Sequence, residues 1–97
     1  MRIKKETRAF INKTAKVYFG ENAKVYLFGS RADDNKKGGD IDLYIETDLK
    51  EDILDRKLKM LVALEKFLGE QKIDIVVNNF TLKKPIYFVA KQEGIRL

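Results

Sequence analysis

The chain contains no cysteine and no histidine, and these two absences remove much of the familiar catalytic repertoire. A thiolate zinc site, a cysteine nucleophile, a histidine-based triad and an imidazole general base are all excluded. Chemistry must run on carboxylates, hydroxyls, lysines, arginines and bound metal, and oxygen-only ligands select hard cations such as Mg²⁺ or Mn²⁺. The lack of cysteine also fits a reducing compartment. No apolar run approaches the ~18 residues of a membrane span. The N-terminal Met1-Arg2-Ile3-Lys4-Lys5-Glu6 has none of the apolar core of a signal peptide. A cytoplasmic protein without membrane association is expected. No cluster of five or more basic residues occurs either. The net charge of +5, with a pI near 9.4, therefore reads as a solvated surface with a lysine excess that attracts phosphate-bearing partners. Direct nucleic-acid binding is not expected.

What is present suffices for one small globular domain over residues 1–97, with 44% apolar residues and no repeat, linker or second domain. Residues 2–19 carry Ile3, Phe10, Ile11, Ala15, Tyr18 and Phe19 near a 3–4 spacing and predict a helix stopped by Gly20. Residues 23–28 predict a strand, followed by a helical turn with Ser30 as its N-cap. Residues 33–39 read as a loop and 40–46 as a second strand. Asp48 and Glu51 form a potential capping box. It would lead a helix of about five turns, whose apolar stripe is Ile53, Leu54, Leu58, Leu61, Leu64, Phe67 and Leu68, ending at Gly69. Residues 72–77 predict a third strand. Pro85 suits the first turn of a last helix, residues 86–92, which Gly94 stops before the apolar end Ile95-Arg96-Leu97.

The chemistry concentrates where Val25-Tyr26-Leu27-Phe28 runs into Gly29-Ser30-Arg31-Ala32, and where Gly38-Gly39 leads to Asp40-Ile41-Asp42-Leu43. Alternate residues of a strand share a face, so Asp40 and Asp42 point one way, roughly 6–7 Å apart at the backbone, while Ile41 and Leu43 point into the core. Two convergent carboxylates beside a Gly-Ser turn can seat divalent cations that hold a polyphosphate. Asp74 interrupts the otherwise apolar Ile73–Val77 run. A carboxylate there is costly unless it is paired or ligates a metal; the alternative is an exposed strand edge or a lysine partner.

With Gly29-Ser30, Asp40-x-Asp42 and Asp74 in this order, the chain resembles the minimal nucleotidyltransferases of the DNA polymerase beta superfamily. The resemblance implies an α+β fold: a small mixed β-sheet packed by helices, with the site at one edge. It implies that Asp40 and Asp42 are catalytic carboxylates ligating Mg²⁺. Asp74 would join a second Mg²⁺ and accept the proton of an attacking hydroxyl; two such ions, about 3.5–4 Å apart, stabilise both oxygens of an in-line displacement. The Gly29 and Ser30 amides, with the Ser30 hydroxyl, would cradle the triphosphate of ATP, and Arg31 would neutralise a phosphate or form a surface salt bridge. Such proteins are often encoded beside a small helical partner, as MNT antitoxin beside HEPT toxin, and the antitoxin can transfer AMP from ATP to a partner tyrosine. The expected function is Mg²⁺-dependent protein AMPylation of a HEPT-type toxin. The alternatives are an antitoxin that neutralises by binding alone, and a nucleotidyltransferase acting on a small molecule or an RNA end.

Overall fold

The computed structural model describes residues 3–33, 39–69 and 71–97. The elements, in chain order, are helix α1 (Lys5–Phe19), strand β1 (Lys24–Phe28), a 3-10 turn (Gly29–Arg31), strand β2 (Ile41–Glu46), helix α2 (Ile53–Leu68), strand β3 (Ile73–Asn78), helix α3 (Pro85–Glu93) and strand β4 (Ile95–Arg96). The four strands form one sheet in the order β3-β2-β1-β4. The β1 strand is antiparallel to both β2 and β4. The β2 and β3 strands are parallel, connected through α2. This is the small α+β architecture with a mixed sheet that the sequence led us to expect.

Period-two alternation decides which side of the sheet is dry. Val25 and Leu27 of β1, Ile41, Leu43 and Ile45 of β2, and Ile75 of β3 are all buried. They meet Ile11, Ala15 and Phe19 of α1 and Met60 and Leu64 of α2. The opposite face carries Asp42, Tyr44 and Glu46, and α3 covers its middle. Tyr44 is buried there between the rings of Tyr26 and Tyr87, at centroid distances of 5.7 and 6.0 Å. Its hydroxyl donates to Glu46 Oε2 (2.9 Å) and accepts from Asn78 Nδ2 (3.0 Å), while Lys91 of α3 donates to the same Glu46 oxygen (3.1 Å). Burial, the largest cause, together with the neighbouring Glu46 carboxylate, pushes the Tyr44 phenol up to about 12.

The carbonyls that a helix leaves unpaired at its C-terminus need partners. At the end of α1 they find them in three places. The Gly20 amide bonds Lys16 O, Arg56 Nη1 of α2 reaches Tyr18 O (3.0 Å), and Thr47 Oγ1 reaches Phe19 O (2.7 Å). One helix end thus fixes α2 and the exit of β2 to α1. Phe10 and Phe67 stack 4.1 Å apart across the same helix pair.

Several expectations need correction. Helix α1 begins at Lys5, and Arg2, its expected first residue, lies outside the described residues. Ser30 is not the N-cap: the 3-10 turn starts one residue earlier, at Gly29, with Phe28 in the N-cap position. The Asp48/Glu51 capping box does not form. Asp48 instead accepts from Asn22 Nδ2 (3.2 Å), and α2 starts at Ile53 after Asp52, which sits in the left-handed region at φ 58. The apolar stripe of α2 is only partly used. Met60 and Leu64 are buried and Ile53, Leu61 and Leu68 pack against the core, whereas Leu54 and Leu58 face outward and Phe67 is covered only on the side that stacks on Phe10. Ile95 and Arg96 are a strand, not a tail. Within the expected loop of residues 33–39, residues 34–38 lie outside the described residues.

Candidate functional site

Parallel strands that begin at the same level bring their first residues together. The β2–β3 register pairs Ile41 with Ile73 and Asp42 with Asp74. The two carboxylates therefore sit on adjacent strands and on one face, the face opposite the core. On the other flank of β2, Asp42 pairs with Phe28, the last residue of β1. The chain then turns at Gly29, with φ 75, into the 3-10 turn. Only glycine enters this region without strain. The close approach adds a second requirement, because a Cβ on Gly29 would collide with the Asp42 carboxylate. The Gly-Ser turn and Asp42 are thus packed directly on each other.

Asp42 is half-buried, the most enclosed of the three carboxylates. Burial raises its carboxyl above the ordinary value, and the negative charges of Asp74 and Asp40 raise it further, against the lowering influence of Lys72. Asp40 lies just before β2, and its Oδ2 is 3.8 Å from Lys72 Nζ. Both side chains are more than half exposed, so this pair contributes little stability. Asp74 is exposed, on the strand at the edge of the sheet. The exposed strand edge, the alternative to a buried carboxylate, is the one realised, so no desolvation of Asp74 calls for a cation. Its place beside Asp42 gives it interest, not a desolvation penalty. Among the described residues no group of three carboxylates is already gathered as a metal cage; Asp42 and Asp74 are the register pair, and Asp40 leans toward Lys72.

Arg31 does not extend toward open solvent as a free phosphate ligand would. Its Nη2 donates to Gly39 O (3.1 Å) and to Gln71 Oε1 (3.4 Å), and Gln71 Nε2 donates to the same Gly39 carbonyl. Three segments are latched together: the turn carrying Ser30, the approach to Asp40, and the approach to Asp74. Neither Gln71 nor Lys72 stood out in the sequence. Their signal was the parallel pairing itself, which makes residues 71–72 neighbours of 39–40. Gly29, Ser30, Arg31, Asp40, Asp42 and Asp74 all fall at this one end of the sheet.

Oxygen donors in register beside a glycine turn suit a hard cation and a phosphate chain. The sequence matches the family model for Polymerase beta, Nucleotidyltransferase over residues 10–97, a span that includes every element of this site. No curated protein matches the chain.

Proposed function

The chain belongs to the polymerase beta nucleotidyltransferase family, and from that premise we propose that it transfers AMP from ATP to a tyrosine hydroxyl of a separate HEPT-type toxin and acts as that partner's antitoxin. The observation that carries the reading is the pairing of Asp42 with Asp74 directly beside the Gly29 turn. These residues fit Mg²⁺. They offer only anionic oxygens, and Asp42 is held in a negative field that a divalent cation relieves. Asp42 and Asp74 would hold the ion, joined by Asp40 on release from Lys72. Bound there, Mg²⁺ supplies charge neutralisation for the triphosphate and the departing pyrophosphate.

The rest of the task falls to the protein. The Gly29 and Ser30 amides and the Ser30 hydroxyl bind the phosphates, and the missing Gly29 Cβ lets this turn pack directly against the Asp42 carboxylate. Arg31 and Gln71 hold the two carboxylate-bearing segments in place around them. The acceptor oxygen attacks the α-phosphorus. A new P–O bond forms as the bond to the bridging oxygen of pyrophosphate breaks, and the hydroxyl proton passes to the Asp74 carboxylate. The chain has no cysteine or histidine to serve as a covalent intermediate, so direct transfer is the simplest route. Asp74, exposed on the edge strand, is accessible to a hydroxyl arriving on another macromolecule.

The test is intact-mass measurement of both proteins after incubation with ATP and Mg²⁺. The partner should gain one or more AMP units, and Asp74→Ala should stop transfer more completely than it weakens ATP binding. A partner that is neutralised without any change in mass would replace transfer by steric occlusion.

A further inference from the structure

At the far end of β3 from the carboxylates, the chain passes through residues 79–84 into α3, and this segment and the helix wall a groove of about 530 Å³. From Asp74 to Asn78 the strand advances about 13 Å, so the groove is separate from the site described above. Its walls are apolar and open. Phe80, Leu82 and Phe88 are 64%, 61% and 70% exposed. Patches of this kind mark interaction sites more often than chance exposure does.

The groove is also built rather than incidental. Phe80 sits in the left-handed region at φ 64, a conformation that bulky residues avoid. The buried Asn78 side chain holds it there: Asn78 Oδ1 accepts from the Phe80 amide (2.9 Å), while its Nδ2 is committed to the Tyr44 hydroxyl. Next to it, Lys50 Nζ bonds Asn79 O and Thr81 Oγ1 bonds Asn79 Oδ1 (2.6 Å). Strain of this sort persists only where surrounding structure over-determines it. Here it is spent on holding an aromatic ring in water.

The rim decides what can cover the groove. Lys83 and Lys84 line it, and among the described residues no carboxylate does. A second copy of this chain pairing face to face would set lysines against lysines, because a two-fold interface presents the same patch from both sides. Anionic bilayers are recruited by clusters of about four to eight basic residues, more than this rim offers. We infer that the groove formed by Phe80, Leu82 and Phe88, rimmed by Lys83 and Lys84, docks an amphipathic segment of another protein whose apolar side chains are flanked by aspartate or glutamate.

The inference is independent of the transfer reading, and its test uses neither ATP nor Mg²⁺. The probe is a labelled helical peptide of about four turns, with Leu and Phe on one face and Glu on the other. A matched peptide carries Lys in place of Glu, and binding to the whole chain is read by fluorescence anisotropy. The Glu peptide should bind at least about tenfold more tightly than the Lys peptide, and Phe88→Ser should weaken it about tenfold. The double variant Lys83→Glu, Lys84→Glu should reverse the preference. Because these side chains are exposed, the urea midpoint of each variant should stay near that of the parent. Equal binding of both peptides, binding of neither, or indifference to Phe88→Ser would overturn the inference. So would a parent dimer that Phe88→Ser dissociates, or adsorption to phosphatidylserine–phosphatidylcholine vesicles in place of peptide.

Discussion

Replacing Asp42 with Asn should make the metal-free protein more stable while disabling it. The substitution keeps the shape of the side chain and removes one negative charge. Asp74 is the register partner on the adjacent strand, and neighbouring strands lie about 4.8 Å apart. Two unit charges at that distance repel by about 0.9 kcal/mol even at the dielectric of water. Asp40 and the partial burial of Asp42 add to this cost, and the lost attraction to Lys72 offsets part of it. A net gain of about 1 kcal/mol follows, or roughly 4–8 °C in Tm for a domain of this size. The assay is urea unfolding at low salt with a chelator present, comparing midpoints at equal m. Added salt should shrink the gap. Added Mg²⁺ with ATP should raise the parent and leave the variant where it was, reversing their order. A variant less stable than the parent in chelator, with m unchanged, would refute the claim that Asp42 is held at electrostatic cost.

Gly29→Ala should destabilise the fold by about 1–3 kcal/mol through its φ of 75 and its collision with Asp42. A double-mutant cycle with Asp42→Ala should recover about 1 kcal/mol of that loss, and strict additivity would refute the contact. Gln71→Ala should weaken ATP–Mg²⁺ binding, measured by calorimetry, while shifting stability by less than about 1 kcal/mol, because the residue is only half-buried. The raised phenol of Tyr44 sets a high-pH limit. Its neutral form is favoured in the folded state, so stability is intact below the ordinary value of 10.0 and is lost as pH rises toward about 12, by up to roughly 2–3 kcal/mol. Tyrosinate absorbance should show one of the four tyrosines titrating late, and Tyr44→Phe should remove that phase.

Local chemistry was legible in the sequence wherever a single element determined it. Gly20 and Gly69 stop their helices, Pro85 opens α3, and alternation in Ile41–Glu46 separates core from site. The Gly29–Asp42 association was legible as a motif, though not as a contact. What escaped depends on neighbours far away in the chain. The Asp48/Glu51 box was plausible until Asn22, 26 residues earlier, took the Asp48 carboxylate. A two-residue strand such as Ile95–Arg96 has no periodicity to detect; it exists because β1 offers a free edge, and because Arg8 Nη2 reaches the carbonyls of Arg96 and Leu97 at 3.3 Å. The greater exposure of Asp74 than of its register partner Asp42 follows from strand order, since β3 lies at the edge of the sheet and β2 inside it. The choice of Met60 over Leu58 as a core residue of α2 reflects a rotation of the helix that several apolar stripes permit.

The position of Asp74 has a bearing on solubility. Strand β3 reads Ile-Asp-Ile-Val-Val-Asn and lies at the margin of the sheet, with one side of its backbone unpaired by any described strand. Apolar, β-branched segments in that position recruit like segments from other molecules and seed fibrous aggregates. A single negative charge near the start of such a run acts as a gatekeeper, because stacking copies in register stacks the charge as well. A charge at position 74 therefore bears on colloidal stability independently of the role proposed for it in the site. Variants that neutralise Asp74 should therefore aggregate more readily than the parent, and precipitation of such a variant would report the lost charge rather than the lost activity.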